Sequence, residues 1–162
     1  MNAEIPYEIR FIDKDEWEET MGMVWKVFLE FEGNVYSPKG VQSFEEFITS
    51  TALKRMFDLG VYQVMGAYDD GKLVGMISLR NESHISLLFV DSRYHKRGIG
   101  RALVLALAAY ARTEMGQDKF TVNASPYGVE FYHRLGFWDA GIQREQDGII
   151  FTPMVLNLTG NE

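Results

Sequence analysis

A basic segment containing two glycines lies between two apolar stretches and limits the folds that this chain can adopt. The segment runs from Arg93 to Ala102 (RYHKRGIGRA), after a strand-like run and before a helix-like run. Glycine lets the main chain approach a ligand closely, and the amides of the first helical turn have no partner inside the helix. Because these amides and the helix dipole both favour negative charge, the segment predicts a phosphate-binding loop.

Length, composition and charge limit the number of domains and the classes of function open to this chain. The 162 residues, 46% of them hydrophobic, fit one domain over residues 1–162. The chain has no cysteine, which excludes disulfides, thiolate metal sites and a cysteine nucleophile. Its net charge of -7 argues against a nucleic-acid binder, so the basic loop is a local exception. We find no signal core, and the longest apolar run, residues 102–111, is too short to span a bilayer. A soluble, cytoplasmic protein without membrane contact is expected.

The order of apolar patterns predicts a sheet preceded by two helices. Apolar residues recur at helical spacing from Trp17 to Phe28, and Ser43 with Glu46 resembles a capping box that opens the second helix. Asp70-Gly71 predicts a tight hairpin turn. Further helices are predicted at residues 98–115 and 126–135, and strands at residues 7–12, 61–68, 72–79, 84–90, 120–124, 137–142 and 149–156. The order is β α α β β β α β α β β.

Two common phosphate-binding loops do not fit this sequence. The dinucleotide fingerprint needs a third glycine or alanine, and Leu103 stands at that position. A P-loop needs Gly-Lys followed by Ser or Thr, which the chain does not contain. The antiparallel hairpin before the loop also differs from the alternating order of those folds.

The residues resemble a known enzyme family instead. His95 to Gly100 (HKRGIG) resembles the (Gln/Arg)-x-x-Gly-x-(Gly/Ala) signature of the GNAT superfamily of acyl-CoA-dependent N-acyltransferases, with histidine in place of Gln or Arg. Residues 123–127 (NASPY) and 131–137 (FYHRLGF) are similar to two further family segments, although Ser92 replaces a frequent proline. The resemblance implies an α/β (α+β) GNAT fold. Its central, mostly antiparallel mixed sheet is splayed between strands 4 and 5 and flanked by about four helices.

The resemblance also implies where acetyl-CoA binds. Its pyrophosphate is expected on the main-chain amides of residues 96–101, which we call the glycine loop. Its pantetheine arm is expected to pair like an extra strand with the main chain of the preceding strand, and the Asn123 amide is expected to orient cofactor or acceptor. The expected cofactor-binding residues are Leu88, Phe89, Val90, His95, Lys96, Arg97, Gly98, Ile99, Gly100, Arg101 and Asn123.

Acyl transfer to an amine needs a polarised carbonyl, a proton acceptor and a proton donor for the leaving thiolate. The resemblance assigns the donor role to Tyr132 and the polarising amide to the region of Phe89 and Val90. His84 is the candidate base, since strand alternation puts it on the same face as Leu88 and Val90. A water chain or an already neutral amine is the alternative to His84, and a buried structural tyrosine is the alternative for Tyr132.

The acceptor pocket is expected from the helical region before the hairpin. The expected substrate-binding residues are Phe28, Glu30, Phe31 and Tyr36, and Glu30 and Glu32 are suited to attract an amine or to be solvated at a helix end. The three histidines lack metal-ligand spacing, so no metal is expected. The function expected is direct transfer of an acetyl group from acetyl-CoA to a primary amine. The alternative is a noncatalytic acyl-CoA-binding module. A small-molecule or protein amine is the expected partner, with a homodimer left open.

Overall fold

An open mixed sheet of eight strands forms the centre of the computed structural model, which describes residues 6–159. The strands are β1 (Glu8–Phe11), β2 (Tyr62–Asp69), β3 (Lys72–Arg80), β4 (His84–Val90), β5 (Lys119–Ala124), β6 (Trp138–Asp139), β7 (Arg144–Gln146) and β8 (Ile149–Asn157). Their order is β1-β2-β3-β4-β5-β8-β6, and β7 pairs with β8. The β4–β5 pairing is parallel and the other pairings between described strands are antiparallel, which confirms the expected mixed sheet.

Helices cover both faces of the sheet. The α-helices of the described residues are α1 (Trp17–Phe31), α2 (Pro38–Ile48), α3 (Thr51–Asp58), α4 (Ile99–Met115) and α5 (Val129–Leu135). On one face, α1, α2 and α3 enclose a core around Met76 and Tyr62. On the other, α4 and α5 enclose a core around Leu103 and Phe120. Within residues 6–159, no helix combines the length and the apolar character that a bilayer crossing requires.

The helical region before β2 differs from the expected pattern. The predicted capping box is wrong, because Ser43 lies inside α2. The helix begins at Pro38, and the Ser37 hydroxyl accepts a hydrogen bond from the Gly40 amide at 3.1 Å. Proline is favoured in the first helical turn, where its missing N–H costs nothing, so Pro38 suits the start of the helix. The third helix, α3, is capped by the Ser50 hydroxyl and was not predicted.

Two hairpin turns use positive φ angles. Asp70 (φ 51°) and Gly71 (φ 86°) join β2 to β3, which confirms the predicted turn. Asp147 (φ 54°) and Gly148 (φ 80°) join β7 to β8. The strand predicted at residues 137–142 shrinks to β6, and β7 is an additional short strand that forms the β7–β8 hairpin.

The sheet opens between β4 and β5. The two strands pair only through His84 with Thr121 and Ile85 with Val122, so they diverge beyond that point. The splay expected between strands 4 and 5 is confirmed. It leaves one edge of the C-terminal half of β4 without a neighbouring strand.

A bulge in β4 reverses the side-chain alternation at Ser86. Ser78 of β3 pairs with Leu87 of β4, and the next residue, Leu79, pairs with Ile85. Ser86 is therefore an extra residue of β4 without a partner on β3. As a result Ile85 packs in the core under α4, whereas Leu87 packs in the core under α1. His84 therefore faces the α1 side, while Leu88 and Val90 face the α4 side. The expectation that all three share one face is wrong, because plain alternation holds only in a strand without a bulge.

Candidate active site

A cleft of about 1020 Å³ lies in the opening between β4 and β5. It receives residues from α1, β4, the glycine loop, α5 and the β7–β8 hairpin. All but three of the residues expected to form the site line it, namely Phe31, Tyr36, His84, Leu88, Phe89, Val90, His95, Lys96, Gly98, Ile99, Gly100, Arg101, Asn123 and Tyr132. The exceptions are Phe28, Glu30 and Arg97.

The glycine loop presents a row of main-chain donors to the cleft. Lys96 (φ 64°) and Gly98 (φ 83°) adopt left-handed conformations that turn the chain into α4. The first amide of this region with a main-chain acceptor is that of Ala102, which donates to the Gly98 carbonyl at 3.0 Å. Among residues 6–159, the amides of Lys96 to Arg101 have no protein acceptor. Six consecutive donors at a helix N-terminus fit an anion with several oxygens, such as a pyrophosphate.

Some basic side chains around the loop line the cleft and one makes contacts elsewhere. Lys96 and Arg101 line the cleft, and so does Arg134 of α5, which was not expected from the sequence. Arg97 points away, because its guanidinium donates to the Tyr7 hydroxyl at 3.1 Å and lies 5.0 Å from the centre of the Tyr94 ring. The side chain of Arg97 thus ties the loop to the region before β1.

The unpaired edge of β4 exposes the main chain of two residues. The Asp91 amide donates to the Val74 carbonyl of β3 at 2.8 Å. Since neighbouring residues alternate in direction, Phe89 also faces β3, while Leu88 and Val90 face the opening. The Nε2 of His95 lies 2.7 Å from the Val90 carbonyl. Because a carbonyl only accepts, that nitrogen carries a proton. An extended ligand would pair with Leu88 and Val90 rather than with Phe89.

Tyr132 and Glu32 both line the cleft, and they are close enough for the charge of Glu32 to act on the Tyr132 hydroxyl. Burial raises the pKa of Tyr132, and the charge of Glu32 raises it further. Its hydroxyl lacks a hydrogen-bond partner in the described part of the chain. Burial likewise raises the pKa of the Glu32 carboxyl, with partial compensation by the hydroxyls of Ser125 and Tyr36. The cleft therefore holds a protonated phenol beside a carboxylate with increased proton affinity.

Two of the residues expected to bind the acceptor lie elsewhere. Phe28 is fully buried and stacks on Phe44 with 4.0 Å between ring centres, so it belongs to the core. Glu30 lies outside the cleft and accepts a hydrogen bond from the Ser92 hydroxyl at 3.2 Å. Helix periodicity explains the correction, since Glu32 follows Glu30 by about 200° around the axis. Glu32, two residues later, occupies the position that was assigned to Glu30.

His84 lies deeper in the cleft, on the α1 side. Its Nδ1 is 2.7 Å from the Thr121 hydroxyl. Burial and the positive charge of Arg80 lower the pKa of His84 to about 4. The imidazole is therefore neutral near pH 7, yet its proton affinity is too low for it to hold a proton taken from an ammonium group.

Arg80 is a further cleft residue that the sequence did not single out. It is the last residue of β3 and pairs in register with His84. A charged residue at the end of a strand is ordinary, so no motif marks it. No group of three potential metal-ligating side chains occurs within the described ranges.

A clasp between the β7–β8 hairpin and α2 roofs the cleft. Ser43 donates to the Asp147 carbonyl at 3.3 Å, and Lys39 lies 3.9 Å from the Asp147 carboxylate. A Cβ on Gly40 would overlap the Gly148 carbonyl, so α2 meets the hairpin only because residue 40 is glycine.

Replacing Gly40 with valine should release this clasp. The branched side chain cannot fit against the Gly148 carbonyl, and overpacking of this kind costs roughly 1–3 kcal/mol. We expect a lower melting temperature and faster protease cleavage at residues 143–148. Valine at Gly22, where a Cβ has open space, is the control and should leave the hairpin protected. Equal protection in both variants would contradict the clasp.

The chain is similar in sequence to known acetyltransferases. Residues 32–158 match the family model described as "Acetyltransferase (GNAT) domain". The chain is 33% identical over 118 residues to the uncharacterized N-acetyltransferase YafP of Escherichia coli K12, a match that covers 72% of each protein.

Solved structures share the fold over nearly the whole chain. A crystal structure of a GCN5-related N-acetyltransferase from Rhodopseudomonas palustris superposes with a TM-score of 0.80 at 22% identity, covering 97% of this chain and 98% of the other. The PaiA N-acetyltransferase of Thermoplasma acidophilum, in complex with coenzyme A, gives a TM-score of 0.75 at 19% identity, with coverages of 93% and 98%.

Proposed function

Since the chain belongs to the GNAT acetyltransferase family, we propose that it transfers an acetyl group from acetyl-CoA directly to a primary amine. One observation carries the proposal, which is the row of unpaired amides from Lys96 to Arg101 at the start of α4. These donors suit the pyrophosphate of the cofactor, and the open edge at Leu88 and Val90 suits its chain of amides. When bound, acetyl-CoA supplies the activated thioester.

The proposed base is Glu32 rather than His84. Glu32 lines the cleft beside Tyr132, and its raised pKa brings its proton affinity closer to that of the amine acceptor. Glu32 accepts a proton from the ammonium group, which frees the nitrogen lone pair. The nitrogen then bonds to the acetyl carbon as the carbon–sulfur bond breaks. The second proton of the nitrogen is lost as the amide forms, and the leaving sulfur takes up one proton, so that the products are the amide and the free thiol.

Tyr132 is the proposed donor to the leaving sulfur. Its raised pKa keeps the hydroxyl protonated at neutral pH, so it donates a hydrogen bond throughout the reaction. The negative charge of Glu32 is one cause of that raised pKa. When Glu32 takes up the proton of the acceptor, this cause disappears and Tyr132 becomes a stronger donor. Deprotonation of the amine and stabilisation of the thiolate are therefore coupled, because the charge of Glu32 changes the acidity of the Tyr132 hydroxyl.

The main chain of β4 supplies the hydrogen-bond donor that polarises the thioester carbonyl. The amides of Leu88 and Val90 face the opening, where one of them can donate to the carbonyl oxygen of the thioester. Preorganised donors of this kind stabilise the charge that develops on the oxygen. No covalent acetyl-enzyme is needed, and the absence of cysteine removes one nucleophile that could form it.

Three measurements test the proposed function. Calorimetry with acetyl-CoA should give saturable binding, and a thiol-release assay should show turnover with at least one class of primary amine. Incubation with radiolabelled acetyl-CoA without acceptor should leave the protein unlabelled. Binding without thiol release across a broad amine panel would instead identify a noncatalytic acyl-CoA-binding module, and no binding at millimolar acetyl-CoA would refute both.

The change Tyr132→Phe tests the donor. Phenylalanine keeps the ring and its packing against Phe137, 5.0 Å between ring centres, and removes only the hydroxyl. We expect kcat to fall roughly 10- to 100-fold while the Kd of acetyl-CoA stays nearly constant. Tyr110→Phe on α4, outside the cleft, is the matched control and should keep full kcat. An unchanged kcat in Tyr132→Phe would remove this residue from the reaction.

A further inference from the structure

We propose that Arg80 anchors a carboxylate on the amine acceptor, so that the substrate class is a chain with an amine at one end and a carboxylate at the other. The inference rests on the proposed function and adds to it the chemical class of the acceptor. It follows from a positive charge that the cleft contains and the protein does not neutralise.

Arg80 has no acidic partner in the described part of the chain. No ion pair involves its guanidinium there, and its Nε is buried without a hydrogen-bond acceptor. A guanidinium stays charged at any relevant pH, and a buried N–H without an acceptor is destabilising. Since Arg80 lines the cleft, a ligand carboxylate there would supply the counter-charge that the guanidinium lacks in the described part of the chain.

The polar groups near Arg80 are already paired with one another. The Tyr62 hydroxyl lies 2.7 Å from the Ser78 hydroxyl and 3.0 Å from the Ser86 hydroxyl. His84, the register partner of Arg80, is 2.7 Å from the Thr121 hydroxyl through Nδ1. His84 and Ser86 line the cleft as neutral groups whose hydrogen bonds go to other residues, which leaves Arg80 as the charged group of this part of the cleft.

The acidic lining of the cleft has other partners. Among the described residues only Glu32 and Asp147 line it with a carboxylate. Glu32 interacts with Tyr36 and Ser125, and Asp147 lies 3.9 Å from Lys39 on the hairpin clasp. Lys96, Arg101 and Arg134 belong to the part of the cleft at the glycine loop and α5. The acceptor side therefore combines one carboxylate near Tyr132 with one guanidinium at the far end.

This arrangement matches a zwitterion in charge, and the register of β3 and β4 sets the scale of its length. An ammonium group suits Glu32, and a carboxylate suits the fork of N–H donors on Arg80. Arg80, opposite His84, is three residues along β3 from Ile77, the register partner of Leu88, which corresponds to about 10 Å along the strand. The arginine side chain spans part of that distance. The acceptor is thus expected to carry several bonds between its amine and its carboxylate, as 5-aminopentanoate does.

The test compares acceptors of equal length and different terminal charge. Pentylamine, 1,5-diaminopentane and 5-aminopentanoate are assayed by thiol release with wild-type protein and Arg80→Met. For wild type we expect kcat/KM to be highest for 5-aminopentanoate. In Arg80→Met the ratio of kcat/KM for 5-aminopentanoate over pentylamine should fall about 30-fold or more. Arg112→Met, on α4 outside the cleft, should keep the wild-type ratio.

A binding measurement makes the test independent of turnover. Pentanoate, which has no amine to acetylate, should raise the melting temperature of the CoA-saturated wild-type protein and of Arg112→Met, but not that of Arg80→Met. Preference for diaminopentane or pentylamine, or equal pentanoate effects in all three proteins, would overturn the role of Arg80 while leaving acetyl transfer intact. No thiol release with any amine would refute the proposed function, and pentanoate binding would still decide the role of Arg80.

Discussion

Replacing Gly100 with aspartate is expected to abolish acetyl-CoA binding. A Cβ at this position would lie 3.2 Å from the Phe131 ring, so the side chain has little room except toward the cleft. There its carboxylate would stand among the amides that bind the pyrophosphate and would repel it. Loss of two charge-assisted hydrogen bonds alone corresponds to an increase in Kd on the order of 100-fold or more. Isothermal titration calorimetry with acetyl-CoA measures the change.

Controls separate loss of the anion site from loss of the fold. Gly22→Asp adds the same charge on α1, where a Cβ meets nothing within 4 Å, and should leave the Kd of acetyl-CoA unchanged. Gly100→Ala adds only the methyl group beside Phe131 and should weaken binding far less than aspartate does. Circular dichroism of Gly100→Asp should retain the wild-type spectrum. Wild-type affinity in a folded Gly100→Asp protein would place the cofactor elsewhere.

The sequence predicted the parts of the site that depend on short-range patterns. The glycine loop lies within seven residues, and the backbone conformations that expose its amides are set locally at Lys96 and Gly98. The Asp70-Gly71 turn is similarly local. The first five strands followed from hydrophobic runs and the splay from the family resemblance, and the structure agrees with both, whereas the strand predicted at residues 137–142 is shorter and β7 was missed.

Features that depend on tertiary pairing were predicted less well. The face of His84 depends on a single extra residue, Ser86, whose position is set by pairing with β3 and leaves no mark in the hydrophobic pattern. Arg80 is a candidate binding residue because its neighbours Tyr62 and Ser86 are hydrogen-bonded to each other, a pairing that only the folded structure shows. Glu30 lies in the last turn of α1 and Glu32 caps that helix, so which of them faces the cleft depends on where α1 ends and how it packs on the sheet.

Replacing Glu32 with glutamine should cause the largest loss of turnover among the cleft side chains. Glutamine keeps the size of the side chain and its contacts with Tyr36 and Ser125, but it cannot take a proton. We expect kcat to fall roughly 100- to 1000-fold, the usual range for a general base. The acidic limb of the pH profile of kcat/KM should disappear too, because wild-type activity rises as Glu32 loses its proton. Glu19→Gln, exposed on the same helix, should keep the wild-type profile.

Stability supplies an independent readout for the same variant. Because the fold raises the pKa of Glu32, the folded state binds this proton more tightly than the unfolded chain does. The stability from the protonated carboxyl is complete below the unfolded pKa near 4.5 and is lost as pH rises through the higher folded pKa. At pH 7 Glu32→Gln should therefore melt above the wild type, and the difference should close below pH 4. A variant that is less stable at pH 7 but retains its kcat would show that Glu32 has a structural role, and the proton would then pass to water.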